Sequence, residues 1–441
     1  FLEYGAFVGR GDSTKVFVEL GFLQRQNDSL QNNRIERVNH SNSYYLKSQL
    51  IKTEKSNLSV FLNYRTLKYE DSNVKDEPSL NSRILYSDRY FGQLIQTTTA
   101  YETSSGTIAQ QEFTYLQVEP GQGVYMWNDY NGNGIQELQE FEIAPYSDLA
   151  IYVRVFLPNQ VFVRTHQNKF SQALNFNFNQ WQNEKGFKKF ASHFYNQTSF
   201  LVERKIRRDG SNFDLNPFSK NDDELIGLNT NFRNSLFFNR GKQYHSTTYS
   251  FLINESQNLL SVGSIAAKNQ SHQLQYQHLV KKSWLFNFLG STTSTESTSE
   301  SYPNRNFEIE SYQLEPKIGY LFSKNASWDV FYEYQQKENQ IGAFETLKQT
   351  RLGTSFTFNS EKGFSMNGEF SMYNNSYNGN ALSAVGFQML EGLQPGKNQT
   401  WRLLLQKNLT QYLDININYQ GRNSETSKTI HTGNVQLRAF F

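Results

Sequence analysis

Apolar and polar residues alternate along most of this chain, and that period of two constrains its fold more than any other feature. In 412–419, Leu413, Ile415, Ile417 and Tyr419 share one side, and Asp414, Asn416 and Asn418 the other. After the polar stretch 421–428, Val435, Leu437, Ala439 and Phe441 repeat the pattern against Gln436 and Arg438. Leu174, Phe176 and Phe178 interleave with Asn175, Asn177 and Asn179. Phe364, Met366, Phe370 and Met372 do the same with Ser365, Asn367, Glu369 and Ser371. Successive side chains of a strand point to opposite faces, so each such strand has an apolar and a wet side. A soluble sandwich would bury the apolar side against a second sheet. Here the wet side is dense in Asn, Gln and Ser almost from end to end. A closed barrel in lipid needs that arrangement: apolar outside, polar lumen, no free edge. The expected fold is all-β, an antiparallel transmembrane β-barrel of about 18–20 strands, at roughly 22 residues per strand and connection.

Composition agrees. Only 37% of the 441 residues are hydrophobic, too few to fill a large soluble core but enough for alternate positions of a barrel. Mean hydropathy is −0.67 and no long apolar run occurs, so no transmembrane helix is expected. The net charge of +2 gives no support for a nucleic-acid partner. With no cysteine, disulfides, thiolate zinc sites and cysteine nucleophiles are excluded. The chain opens at Phe1 on strand-like residues without an n-region or h-region, which suggests a piece of a longer polypeptide. At the other end, Phe441 and the alternation before it read as the β-signal for barrel insertion.

Along the chain, strands are expected near 2–9, 14–23, 44–53, 58–68, 83–103 and 107–118. The polar stretch 25–43 reads as a connection, and 149–156 as a strand buried on both sides. Further strands are expected near 187–203, 225–238, 243–254, 271–281, 283–295, 310–323, 326–336, 347–359, 362–374, 382–391 and 398–408. The Ser/Thr-rich stretch 291–306 reads as a mobile loop, and 203–224 as a charged one containing Asp222 and Asp223. No helix is expected. The alternation fails over about 120–160, giving three parts: barrel strands in 1–119, an inserted subdomain in 120–160, and barrel strands in 161–441.

That insert carries the best chemical motif. Residues 129–140 read D-Y-N-G-N-G-I-Q-E-L-Q-E. Set on the twelve-residue EF-hand-like calcium loop, Asp129, Asn131 and Asn133 take positions one, three and five, and Gly134 takes the sharp turn at six. Ile135 would offer its backbone carbonyl at seven, Glu137 its side chain at nine, and Glu140 a bidentate carboxylate at twelve. Calcium is a hard cation that takes six to eight oxygens, and this spacing wraps oxygens around one point. The expected cofactor is a structural Ca²⁺; the bland alternative is an Asn/Gly-rich surface turn. Residues 392–398, G-L-Q-P-G-K-N, are one residue short of a phosphate loop and have Asn398 where Ser or Thr is needed, so a turn is expected. The seven histidines are scattered and no G-x-S-x-G occurs. No catalytic residue and no enzyme activity are expected.

Residues 127–156, with 389–401, 419–425 and 430–441, resemble the C-terminal part of long envelope proteins of the Bacteroidota. The resemblance implies soluble β-rich domains followed by an outer-membrane barrel with an acidic Gly-rich insert. It carries no activity. The functional expectation is a non-enzymatic barrel of the bacterial outer membrane, within an envelope transport, secretion or assembly complex. Its partners would be outer-membrane lipid and other envelope proteins. The alternatives are a stand-alone pore or uptake channel, then a surface adhesin or barrel enzyme.

Overall fold

A computed structural model describes residues 1–12, 14–31, 33–71, 75–208, 213–219, 224–242, 244–260, 263–360, 363–410 and 412–440. They form an all-β protein, a large antiparallel sheet of 21 strands. The first six are β1 (Leu2–Gly11), β2 (Phe17–Gln31), β3 (Arg34–Lys52), β4 (Asn57–Tyr69), β5 (Glu77–Tyr90) and β6 (Ile95–Gln117). Two three-residue pieces follow, β7 (Tyr125–Trp127) and β8 (Phe141–Ile143), then the long β9 (Tyr152–Asn177). Helix α1 (Phe187–Ala191) precedes β10 (Phe194–Arg207), β11 (Leu225–Phe238), β12 (His245–Leu260), β13 (Gly263–Val280) and β14 (Trp284–Ser299). Next come β15 (Phe307–Ser323), β16 (Ala326–Asn339), β17 (Thr346–Ser360) and β18 (Phe364–Asn378). Helix α2 (Ala384–Leu390), β19 (Gly396–Thr410), β20 (Leu413–Ser424) and β21 (Ile430–Ala439) close the chain. Antiparallel ladders join β1 through β6 in sequence. They also join β9 to β10 and β14 through β21.

The structure corrects several sequence expectations. Of the polar stretch 25–43, residues 25–31 and 34–43 belong to the β2–β3 ladder, which runs from Phe17↔Gln49 to Gln31↔Arg34. Ladder bonds are made by the backbone, so pairing continues where the apolar period fades. The single strand expected at 83–103 is parts of two, β5 and β6, turned at Phe91–Gly92–Gln93 with φ of 52°, 66° and 76°. Likewise 291–299 is strand, with Thr292 to Ser297 paired to Tyr312 to Phe307. Residues 149–156 are not buried on both sides: Ala150 and Tyr152 are buried but Phe156 is exposed. The strand expected at 382–391 is helix α2, capped by Ser383, whose Oγ accepts from Gly386 N at 3.0 Å. Residues 187–191, expected in a strand, form α1. Phe441, Asp222 and Asp223 lie outside the described residues.

The chain divides into two compact units, 1–111 with 159–236 and 252–266, and 112–158 with 237–251 and 267–441. In the first, Val8, Leu20, Leu46 and Leu62 stand opposite one another across the ladder from β1 to β4, and Val8, Leu20 and Leu62 are exposed, as is Tyr44 on the same face. Residues 213–219 lie on that face further along. There Phe213 meets Tyr64 edge-on, and Phe218 packs with Phe170 and Phe200. Asp214 accepts from Arg204 at 2.6 Å.

The second unit has two cleanly different faces. Register places Trp284 opposite Tyr320, Ile318 opposite Val330, Tyr332 opposite Leu352, and Leu352 opposite Met372. Phe370 stands opposite Trp401, Leu403 opposite Tyr419, and Ile417 opposite Val435. Residues opposite one another share a face, so one apolar band crosses β14 to β21. Much of it is exposed, including Trp284, Leu314, Val330, Leu352 and Leu437. The other face carries Lys317 bonded to Asp329 at 3.1 Å, and Arg351 bonded to Glu333 at 3.1 Å and Glu369 at 2.5 Å. Ser371, on that face, is 0% exposed, while its neighbour Phe370 is 37% exposed. Among the described residues, buried polar side chains outnumber buried apolar ones. That reverses the usual order in a protein surrounded by water.

Candidate functional site

In the second unit the connections differ in length between the two ends of the strands. Val280 is linked to Trp284 and Ser323 to Ala326 by tight turns. At the opposite ends lie 300–306, 340–345, 379–395, 425–429 and the long connection 118–151. The last is the expected insert. It begins and ends in ladder bonds: Val118 N donates to Ile151 O at 2.8 Å, and Val124 N to Tyr152 O at 2.8 Å. Its small core is aromatic, with Tyr115 stacked on Phe141 at 3.9 Å and Tyr152 edge-on to Phe141 at 5.0 Å.

The six expected calcium ligands sit in one turn of this insert. Asp129 is its centre. Its carboxylate accepts from Gly132 N at 2.7 Å, Asn133 N at 3.1 Å and Gly134 N at 2.8 Å. Gly132 and Gly134 have φ of 72° and 71°, a region that favours glycine, and this lets three successive amides face one side chain. Asn133 Oδ1 accepts from Ile135 N at 2.7 Å, and Asn131 Nδ2 donates to Glu137 Oε2 at 2.8 Å. Ile135 itself is exposed. Glu140 is 1% exposed, and its carboxylate accepts from Trp127 Nε1 at 2.7 Å and Tyr130 N at 3.2 Å. Those donors are neutral, and no Lys, Arg or His pairs with Glu140 among the described residues. A buried carboxylate without a counter-charge is costly, so the chemistry of this loop fits a hard cation. The described residues nonetheless gather no group of three or more acidic or histidine side chains around one point.

The insert is fixed to the polar face of its own unit by contacts that sequence reasoning missed. Arg305, between β14 and β15, pairs with Glu142 and donates to Gln139 O at 2.7 Å. Arg422 of β20 grips Asp148 with both terminal nitrogens, at 2.6 and 2.7 Å, and lies 4.0 Å over the Tyr146 ring. Gln420 donates to Ser147 Oγ at 3.0 Å. The Arg422 bonds hold the Asp148 carboxyl below the usual carboxylate range, whereas burial pushes Glu142 up despite its arginine. These partners are far apart in sequence, so no local motif announces them.

Beside the insert, α2 and its flanks settle on the same face. Val385, Met389 and Leu390 form a buried cluster with Ile309 and Leu347. Lys337 Nζ donates to Met389 O at 3.0 Å and pairs with Glu391. Asn375 Nδ2 donates to Gln394 O at 3.0 Å. Asn398 accepts from Gln394 N at 3.0 Å, so 392–398 is a turn entering β19.

In the first unit a serine and a histidine meet between strands. Ser105 Oγ and His166 Nδ1 are 3.0 Å apart. His166 is fully buried, and Ser105 also bonds the Leu80 backbone, N–H at 3.1 Å and carbonyl at 3.3 Å. These bonds tie strands together.

No protein-family model and no curated protein matches this chain. Among solved structures it is similar to the FrpB iron transporter from Neisseria meningitidis (F3-3 variant), at 9% identity and TM-score 0.38, covering 95% of this chain and 66% of that one. It is similar to OccAB4 of Acinetobacter baumannii, at 9% identity and TM-score 0.34, over 99% and 97% of the two chains. OpdQ of Pseudomonas aeruginosa gives 11% identity and TM-score 0.34 over 97% of each. Likeness at this level carries no argument about activity.

Proposed function

We propose that this chain is a closed outer-membrane β-barrel of a diderm bacterium, a non-enzymatic component of an envelope transport, secretion or assembly complex. The observation that carries this reading is the two-sidedness of β14 to β21, apolar where exposed and ion-paired where covered. Dimensions agree. Along β15 the apolar face runs from Tyr312 to Phe322, both exposed. Ten residues at about 3.3 Å each, tilted by about 40°, give a height of about 25 Å, the apolar girdle of such barrels. Large aromatics gather on this band: Trp284, Tyr320 and Trp328 follow one another across the ladder, and further along Trp401 Nε1 donates to Tyr419 OH at 3.2 Å. In hydrocarbon every backbone polar group needs a partner, so the reading requires the outer edges of β1 and β21 to be met.

A component role is favoured over a free-standing channel by the insert and the α2 connection, which cover the polar face at the loop-bearing end. Folded protein should run at a different position on unheated and heated SDS gels, and mild-detergent purification should bring other envelope chains with it. A solitary protein that conducts ions in planar bilayers would hand the case to the pore reading.

The reading includes a structural Ca²⁺ held by Asp129, Asn131, Asn133, the Ile135 carbonyl, Glu137 and Glu140. The support is the buried, cation-free Glu140 and the oxygen-only donor set. The ion would neutralise the loop's carboxylates; the chain's own part is to pre-turn the loop about Asp129. Metal binding then supplies free energy for ordering this loop. Protease should cut within 118–151 faster in chelator than in Ca²⁺, and Glu140→Gln should be cut fast in both. Equal cutting of the wild type in both buffers would reduce the loop to an Asn/Gly turn.

A further inference from the structure

Two cavities lie within the second unit where the insert meets the polar face of β18 to β21. The larger, about 530 Å³, is bounded by Gln122, Ser147 and Asp148 of the insert and by Asn418, Gln420 and Asn434 of the strands. The smaller, about 240 Å³, is bounded by Tyr146, Tyr373, Thr400, Arg402 and Glu369. Gln420 and Thr432 line both, so the two adjoin. The larger volume lies within the ~300–1,000 Å³ of small-molecule sites.

The lining chooses among ligand classes. Amides and hydroxyls dominate the larger cavity, and its one carboxylate, Asp148, is already held by both arms of Arg422. In the smaller, Glu369 is paired with Arg351. A cation therefore finds no free acidic group, and an apolar ligand finds few apolar side chains. Amides present a donor and an acceptor together, matching a hydroxyl that does both. Asn418 adds a buried acceptor, Oδ1, without a partner among the described residues. The Tyr146 and Tyr373 rings stand beside those polar groups; Arg422 covers one face of Tyr146 at 4.0 Å and Arg351 lies 5.3 Å from the Tyr373 ring, so a C–H-rich surface would meet their opposite faces.

From this combination we infer that the cleft between the insert and β18–β21 is a binding site for oligosaccharide. Gln420 and Asn434 bind hydroxyls there, and Tyr146 and Tyr373 take the ring faces. The inference rests on the barrel reading only in supposing that the polar face is wet.

The test uses the full chain refolded in a detergent without a sugar headgroup. Calorimetric titrations use maltohexaose, cellohexaose and chitohexaose as free probes, and lipid-free lipopolysaccharide core as an envelope glycan. Binding of a free probe or of the core supports the site, and which of them binds identifies the source. Gln420→Ala with Asn434→Ala should raise Kd about tenfold or more, while Asn287→Ala on distant β14 should leave it unchanged. Heat-modifiable mobility checks that each variant is folded. Folded wild type that binds none of the four overturns the site and leaves the barrel reading standing. So does binding that the double variant does not weaken. Protein that never shows a heat-modifiable form counts against the barrel instead.

Discussion

Phe370→Arg should lower folding stability in lipid by about 2–4 kcal/mol, the cost of an arginine at the lipid face near the bilayer midplane. Phe370 is exposed on the apolar face, and its cross-strand neighbours there are Thr354 and Trp401. One residue away, Glu369 points to the opposite face and bonds Arg351. Glu369→Gln leaves Arg351 its second carboxylate, Glu333, and should cost far less. The pair is read by urea unfolding in vesicles, with folded fractions taken from unheated gels. Equal losses from the two substitutions would mean that the faces do not differ in surroundings, and the membrane reading would fail.

Arg351→Met should cost about 3–5 kcal/mol, the penalty of leaving a buried charge without its partner. The guanidinium reaches Glu333 at 3.1 Å, Glu369 at 2.5 Å and Ser371 Oγ at 3.1 Å, and lies 4.6 Å from the Phe331 ring. Glu333 has 8% side-chain exposure. Without Arg351 it keeps only a neutral donor on this face, Gln313 Nε2 at 3.1 Å. Adding Glu333→Gln to Arg351→Met should recover most of the loss, because the stranded charge is gone. A single-variant cost of ~1 kcal/mol or less, the worth of an exposed pair, would show that water reaches Glu333 freely and that the network is not buried.

The strands were legible because a period of two survives wherever one face meets apolar surroundings. Phe364 to Met372 and Leu413 to Tyr419 are strands, as their alternation implies. Boundaries were lost where strands run on with polar residues on both sides, as in Arg34–Lys52 and the Ser/Thr end of β14. There the ladder alone holds the chain, and threonine suits it. Helix α2 was misread because a short apolar run such as A-V-G-F-Q-M-L fits either period. Ser383, followed three residues later by an amide it could cap, was the signal available for a helix start. The loop at 129–140 was legible as a turn because the residues proposed as ligands, and the glycines between them, all fall in one short stretch. Its attachment was not, since Arg305 and Arg422 reach it from strands far along the chain. The aromatic pair and amides of the proposed sugar cleft are scattered for the same reason.

The apolar band from Trp284 to Leu437 also bears on how the molecule reaches its destination. Before insertion there is no lipid against it, and water is a poor solvent for so much contiguous apolar surface. Alternating strands of this kind readily pair with strands of other copies. On the proposed outer-membrane reading, transit to the membrane would therefore call for an escort that masks alternate side chains. On the same reading, the charged network opposite would favour release. Lys317, Arg351 and their carboxylates find partners only when neighbouring strands take their final register. Completing those pairs on insertion would make an escorted, unpaired chain the less stable of the two.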